Sequence, residues 1–309
     1  VFGNARSLWR EITARRAAAR SEESLAAVRA YLDGIADRSG FPVREEWADF
    51  PENYAAQTQM AWKKGRDHHL VRLRRGYPEP AWHHILAHEA THIALEAEAR
   101  ALGRNRWFTV NDETRSKALR QMEPEIRRIA RQGHSAERLA ALAAQLLEGA
   151  AGLLFNAPID MAIESRLARE LPALREAQFI SLDTLAREAA ALSTHREIRQ
   201  ITPERILAVN DTLNAAAALF LRDLSGGALD YAEAYRPFDC LARAERLYAA
   251  YRDAEAEGIA PGQEYDLVDE FASQLGVRAW YAWQADSGPG GAAASEPPAQ
   301  SRKIESPAA

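Results

Sequence analysis

The sequence predicts a mainly α-helical fold (α+β) with a small β component. Ala, Leu, Arg and Glu recur at helical spacing along most of the 309 residues, whereas the 17 glycines and 14 prolines fall mostly between those stretches. Residues 41–75 break this pattern, because they are rich in aromatic and turn-forming residues. Within that segment, HHLVRLRR at residues 68–75 alternates apolar and basic side chains, which predicts a short strand.

Two helices can be placed in the first part of the chain from their start and stop signals. The first is expected over residues 5–37, because apolar residues recur there at helical spacing and Gly40 ends the pattern. The second is expected over residues 81–102, because Pro80 suits the first turn of a helix and Gly103 ends it. The apolar side of the first helix is formed by Leu8, Ile12, Leu25, Val28, Leu32 and Ile35.

Start and stop signals also place the later helices. Residues 104–113 are polar and poorly periodic, which predicts a connection without regular structure. A leucine-rich helix is expected to stop at Asn156, and a new helix to run over residues 158–170, because Asn156 is a good N-cap and Pro158 a good early helical residue. Three further helices are expected at residues 202–224, 237–257 and 265–275.

Charge and cysteine content exclude several classes of partner. The chain has 39 Lys and Arg against 44 Asp and Glu, a net charge of -5, so there is no general electrostatic reason to bind nucleic acid or an anionic membrane. It has no uncharged apolar run of 18 residues and no apolar stretch typical of a secretory signal. The single Cys240 cannot form an intramolecular disulfide or a cysteine-rich zinc module. We therefore expect a cytoplasmic protein without nucleic-acid or membrane partners, in which any metal is held by His and carboxylates.

The sharpest motif is HEATH at residues 88–92, inside the second predicted helix. Residues four apart lie on one face of a helix, about 6 Å apart along its axis, so His88 and His92 can bind one tetrahedral metal ion. Glu89 is then placed to reach the water that such a metal activates. The motif predicts a Zn²⁺ site with His88 and His92 as ligands and Glu89 as general base.

A third ligand is expected from the sequence NAPIDMAIE, residues 156–164. Asp160 and Glu164 stand four residues apart, on one face of a separate helix that can cross the HEATH helix. Either carboxylate can serve as an oxygen ligand to Zn²⁺.

The HEATH motif with a downstream acidic pair resembles the HExxH zincin metallopeptidases, and within them the gluzincin-like branch typified by thermolysin. The resemblance covers about residues 68–170. It implies a zincin-like core with a small β-sheet beside the HExxH helix, in which an edge strand pairs with an extended substrate; residues 68–75 are the candidate strand. It also implies a zinc metallopeptidase that hydrolyses peptide bonds through a metal-activated water, with Glu89 as general base.

The order of the acidic pair leaves two assignments open. In the thermolysin pattern a Glu ligand is followed four residues later by Asp, whereas here Asp160 comes first. Some uncharacterised bacterial sequences of this type have Asn, then Asp, then a polar residue at the same spacing. By that analogy Asp160 binds the metal and Glu164 supports an imidazole. The reverse assignment stays open, because Glu is the commoner ligand in the clan.

Other histidines and acids are weaker candidates. Leu95 and Glu98 stand where the metzincin pattern requires Gly and His, so that branch is excluded. Glu96 and His84 extend the ladder, but eight residues of straight helix span about 12 Å, too far for one ion. His68, His69 and His83 can lie near the cleft. His195 is a candidate donor of a hydrogen bond to the oxyanion that forms during hydrolysis.

The predicted domain organisation follows from these assignments. A zincin-like metallopeptidase domain is expected over residues 1–175, a helical bundle that completes or flanks the cleft over 176–285, and a disordered tail over 286–309. The partner is expected to be a peptide or protein substrate, and the sequence does not indicate the oligomeric state. Two alternatives remain: a helical regulatory or interaction protein with a structural or vestigial metal site, and a zinc hydrolase that acts on a non-peptide amide.

Overall fold

A computed structural model describes residues 2–50, 55–131 and 135–286. Of residues 2–19 and 136 it describes the backbone alone. It is mostly helical with small sheets, so the predicted mainly α class is confirmed. The predicted disordered tail, apart from Asp286, lies outside the described residues, as do the side chains of Leu8 and Ile12.

The helices and strands of the described residues have the following bounds. The α-helices are α1 (Phe2–Ser39), α2 (Ala61–Lys64), α3 (Ala81–Ala101), α4 (Asp112–Ala130), α5 (Ala136–Glu170), α6 (Arg175–Thr194), α7 (Arg196–Ile201), α8 (Glu204–Leu224), α9 (Leu241–Glu257) and α10 (Glu264–Leu275). Short 3-10 helices cover Pro172–Leu174, Ala232–Phe238 and Arg278–Trp280. The strands are β1 (Val43–Ala48), β2 (Ala56–Gln59), β3 (His69–Arg74), β4 (Arg106–Thr109) and β5 (Ala282–Ala285).

Helix α5 corrects the prediction of two helices separated at Asn156. It runs without a break from residue 136 to residue 170, with Pro158 inside it. A proline inside a helix costs about 3 kcal/mol, because it removes one backbone hydrogen bond and its ring crowds the preceding turn. Burial of apolar side chains on both sides of Pro158 offsets that cost, since each stabilises the fold by about 1.5–3 kcal/mol. These buried residues are Leu154, Ile159, Met161 and Ile163.

The apolar character of α5 has a second consequence. Residues 137–170 are long and apolar enough to cross a membrane by length and composition, with a mean hydropathy of 1.4 in an 18-residue window. Core helices of soluble proteins have the same property. The expectation of no membrane partner therefore stays a prediction.

The described chain divides into two compact units. The first contains the residues up to Phe50, Ala55–Ala94 and Glu164–Ser181; the second contains Leu95–Ile163 and the residues from Leu182 onward. Each unit thus combines stretches that are distant in sequence. The domain division expected at residue 175 stays a prediction.

The first unit contains a three-stranded sheet in the order β1-β3-β2. Strand β3 is parallel to β1 and antiparallel to β2. The predicted strand at residues 68–75 is therefore confirmed, but its expected position at an edge is wrong, because it is the central strand. The edge next to it is β2, which the sequence did not reveal: of its four residues, AQTQ, only Thr58 favours a strand strongly.

Helices α1 and α3 supply much of the core of the first unit. Val28, Leu32 and Ile35 of α1 are buried, and Leu25 is partly exposed. The predicted apolar side of α1 is thus confirmed for its described side chains. Polar contacts between the two helices join Ser24 Oγ to His83 Nδ1 at 3.1 Å, and Tyr31 OH to Thr91 Oγ1 at 3.1 Å.

The second unit contains helices α8, α9 and α10, in which α9 packs against both α8 and α10. It also contains a two-stranded antiparallel sheet of β4 and β5. Strand β4 lies in the stretch 104–113, so the expectation of an irregular connection is wrong. Its partner β5 lies more than 170 residues later, and a four-residue strand has no local signal strong enough to predict it. The ring of Phe108 stacks on that of Tyr281 in this unit, with centroids 4.4 Å apart.

Candidate metal centre

The HEATH motif lies in the middle of α3, as the sequence predicts. The rings of His88 and His92 have centroids 5.0 Å apart, and both side chains are partly exposed. The neighbouring Leu86, Ala90 and Ile93 are fully buried. The two imidazoles thus form a partly accessible pair on a helix that is otherwise anchored in the core of its unit.

Glu89 lies beside this pair but is buried, with 4% of its surface exposed. Its Oε2 accepts a hydrogen bond of 2.6 Å from Oγ1 of Thr58 on strand β2. The same hydroxyl lies 3.3 Å from the main-chain oxygen of Glu89. Strand β2 therefore fixes the orientation of this carboxylate, which a general base requires.

Glu164 is the carboxylate that approaches the motif within the first unit. It is 3% exposed, and its Oε1 lies 2.7 Å from Nδ1 of His88. Nε2 of His84 lies 3.0 Å from Oε1 and 2.9 Å from Oε2. Nε2 of Gln178 donates to Oε2 at 2.7 Å and to the main-chain oxygen of Glu164 at 3.0 Å. Because a carboxylate can only accept, the two ring nitrogens carry the hydrogens.

These contacts determine the charge of Glu164. Burial by itself raises the pKa of this carboxyl group, but the charge of His84 and the hydrogen bonds from His84 and His88 outweigh that effect. The pKa of Glu164 therefore lies well below its ordinary value. Glu164 is a buried, ionised acceptor that the surrounding donors hold in place.

His84 is the site residue that the sequence reasoning missed. His84, His88 and Glu164 each offer one atom within 4.8 Å of the others. The distance of His84 from His92 along the helix predicts that these two residues cannot share one ion, but Glu164 contacts both His84 and His88. The sequence feature that could have indicated His84 is the spacing of four residues between His84 and His88 and again between His88 and His92. Gln178 carried no signal, since it lies on α6, after the chain has turned back.

Asp160 belongs to the second unit by its contacts and lies one turn before Glu164 on the continuous helix α5. Residues four apart share one side of a helix, so the two carboxylates have the relationship that the sequence predicts. Its role as a ligand stays a prediction.

The remaining histidines of the first unit have other partners. His69 is buried on β3, where its Nδ1 accepts the backbone N–H of Ala61 at 3.0 Å and its Nε2 lies 3.2 Å from Ser39 Oγ. Burial lowers the pKa of His69 to about 4. His68 pairs with the exposed Asp67, at 2.5 Å.

Two candidates belong to the second unit. Glu96 is buried, and His195 is exposed at the start of α7. The expected role of His195 as an oxyanion donor stays a prediction.

The His and Glu side chains of the first unit could hold a metal ion. With Nδ1 of His88 donating to Glu164, a neutral ring carries its lone pair on Nε2, the atom that would bind a metal. Metal-binding histidines almost always donate their other N–H to a carboxylate, a carbonyl or water. The contact between His88 and Glu164 has that form.

No protein-family model, no curated protein and no solved structure matches this chain.

Proposed function

We propose that this protein is a zinc-dependent metallopeptidase with a zincin-like core. The observation that carries this proposal is the 2.7 Å contact between Nδ1 of His88 and the buried carboxylate of Glu164. It selects the ring tautomer that a metal ligand needs, on the same helix face as His92 and next to the oriented Glu89. A helix face with two coincidental histidines would not require this buried support.

Within the first unit we assign His88 and His92 as zinc ligands, and Glu164 as the group that orients His88. Both oxygens of Glu164 already accept hydrogen bonds from His84, His88 or Gln178. Using Glu164 as the ligand would leave buried donors without partners, which is costly. Asp160, the other carboxylate of the acidic pair, is therefore the third ligand proposed from the sequence, because that choice leaves the donors around Glu164 paired.

The chain's own residues then carry the proton transfers. A bound zinc ion supplies Lewis-acid chemistry, lowering the pKa of water and polarising a carbonyl. Glu89 takes one proton from the attacking water as the new C–O bond forms. It returns that proton to the amine nitrogen as the C–N bond breaks. The hydroxyl of Thr58 holds Oε2 of Glu89 in position through both steps.

The sheet favours an extended peptide as substrate. Strand β2 pairs with β3 on one side, and no strand among the described residues pairs with its other side. Exposed strand edges bind extended peptides through main-chain hydrogen bonds. Because Thr58 of β2 contacts Glu89, a peptide on this edge would lie beside the general base.

Elemental analysis and a peptidase assay test this proposal together. We expect one zinc per chain in the parent and none in His92→Ala, with Asp160→Ala losing far more zinc affinity than Glu164→Gln. Glu89→Gln should retain zinc but lose hydrolysis of a mixed peptide library. The exposed Glu79→Gln in the same unit is the control and should retain both.

The outcomes also separate the alternatives. Bound zinc with no hydrolysis of peptides in the parent would favour a regulatory protein with a structural metal site. Hydrolysis of non-peptide amides alone would favour the other hydrolase class. Absence of zinc from the parent after purification in zinc-containing buffer would overturn the proposal.

A further inference from the structure

Three side chains of the first unit donate hydrogen bonds to the carboxylate of Glu164. His84 and His88 donate from successive turns of α3, and Gln178 donates from α6. Gln178 also donates to the main-chain oxygen of Glu164, so it fixes both the backbone and the side chain of this residue. A carboxylate bound in this way has little freedom to rotate, and neither has the ring that donates to it.

We infer that His84 and Gln178 are positioning residues of the metal centre, which act by locking Glu164 so that Glu164 fixes the ring of His88. This inference rests on the proposed function. It concerns residues outside the HExxH motif and outside the acidic pair, and it gives a reason for the buried polar groups on this side of α3.

The contact of Nε2 of His84 with Glu164 supports a positioning role for this nitrogen and not a bond to the metal. Its Nε2 lies almost equally far from the two oxygens of Glu164, at 3.0 and 2.9 Å. A nitrogen that donates to a carboxylate carries a hydrogen and has no lone pair for a metal.

The other nitrogen of His84 indicates that this residue lowers the stability of the fold. Its Nδ1 is buried without a hydrogen-bond partner among the described residues. A buried imidazole with one unsatisfied nitrogen stabilises a core less than an apolar side chain does. The contribution of His84 therefore lies in what its Nε2 does to Glu164.

His83 provides a matched control on the same turn of α3. It is also a buried histidine, but its Nδ1 contacts Oγ of Ser24 on α1 and not Glu164. A substitution of His83 tests the effect of removing a buried imidazole from this turn. A substitution of His84 tests the same effect together with the loss of the hydrogen bond to Glu164.

The test measures metal affinity in the full chain. Zinc affinity is measured by competition with a chelator, and ligand geometry from the visible absorption of the cobalt-substituted protein. Circular dichroism and thermal unfolding of the metal-free protein report folding. The variants are His84→Leu, His84→Gln, Gln178→Met and the control His83→Leu.

We expect His84→Leu to lose about 10- to 100-fold in zinc affinity and to change the cobalt spectrum, as is typical when the partner of a ligand is disturbed. Gln178→Met should shift both readouts in the same direction. His84→Gln keeps an amide donor and should restore most of the affinity. His83→Leu removes the contact with Ser24 but none with Glu164, so it should leave the affinity and the spectrum unchanged.

The inference is overturned if His84→Leu and Gln178→Met bind zinc as the parent does, or if His83→Leu weakens binding as much as His84→Leu. If His84→Leu does not fold, Gln178→Met and the comparison of His84→Gln with His83→Leu decide. A parent protein that binds neither zinc nor cobalt would instead contradict the proposed function, and the two failures are therefore distinguishable.

Discussion

Nδ1 of His88 lies 2.7 Å from Oε1 of Glu164, a residue 76 positions later in the chain. This hydrogen bond connects the HExxH helix α3 to the last two turns of α5. Because Glu164 is buried and ionised, it specifies which nitrogen of His88 carries the hydrogen.

Glu164→Gln should reduce the stability of the metal-free protein. The variant replaces a buried ionised acceptor with an amide whose N–H₂ group faces existing donors, so we expect the free energy of unfolding to fall by about 3 kcal/mol. Urea denaturation measures this change. The control is Glu170→Gln, because the side chain of Glu170 is exposed and pairs with Arg166 near the end of α5. Equal stability of the two variants would contradict the prediction.

Thr58→Val should impair catalysis without loss of zinc. Valine has the shape of threonine but cannot donate the 2.6 Å hydrogen bond to Glu89. We expect kcat to fall about 10-fold or more, because a mobile general base transfers protons less well. Steady-state kinetics and elemental analysis measure the two quantities. Gln57→Ala, one position earlier on β2 with its side chain on the opposite face, should show neither effect; unchanged kcat in Thr58→Val would refute the role of this hydroxyl.

Glu264 should make stability fall as the pH rises. Burial raises the pKa of Glu264 to about 7, although Gly262 N–H donates to its Oε2 at 2.7 Å. Between about pH 4.5 and 7 the folded state keeps a proton that the unfolded state releases. The contribution of Glu264 to the free energy of unfolding is therefore complete below pH 4.5, the ordinary pKa of a glutamate. It is lost as the pH rises through 7, by about 3 kcal/mol in total.

Glu264→Gln isolates this contribution. The neutral variant should lack the loss of stability with rising pH that Glu264 causes. The unfolding free energy of the parent should therefore fall relative to that of the variant from pH 5 to pH 8. The exposed Glu270→Gln, on the same helix α10, serves as the control. Parallel curves for Glu264→Gln and the parent would show that this carboxyl group titrates normally.

His69 should make the stability fall as the pH falls, which is the opposite of the effect of Glu264. Burial lowers the pKa of His69 to about 4, so the folded state disfavours the charged ring that the unfolded state accepts. The associated stability is present above about pH 6.5 and is lost as the pH falls towards 4, by about 3 kcal/mol. His69→Gln should be less stable at pH 7 but should flatten this acid dependence in urea denaturation. An unchanged slope between pH 6.5 and 4 would exclude His69 as its source.

Much of α3 and the centre of its motif was predictable from the sequence. Helix α3 begins at Ala81 and ends at Ala101, next to Pro80 and Gly103, which mark its predicted limits. His88 and His92 share a face because four residues make about one helical turn. These are local properties, which the residues of one helix determine without help from the rest of the chain.

Other features depended on distant partners and were missed. Strand β2 has weak propensity and exists because β3 pairs with it. His84 looked too distant from His92 to contribute, and its importance depends on Glu164, 80 residues away. Helix α5 continues through Pro158, although the local signals Asn156 and Pro158 favour a new start there.

The residue pattern alone was enough to predict the helical class, the HExxH helix, a strand at residues 68–75 and the i, i+4 relationship of Asp160 and Glu164. Those follow from periodicity and from caps a few residues away. Contacts between residues distant in the chain are what make Glu164 accept from His84, His88 and Gln178, let Thr58 orient Glu89, and place β3 at the centre of its sheet. The physical reason is that burial removes these groups from water, so each polar atom depends on a partner that the fold brings from a remote part of the chain.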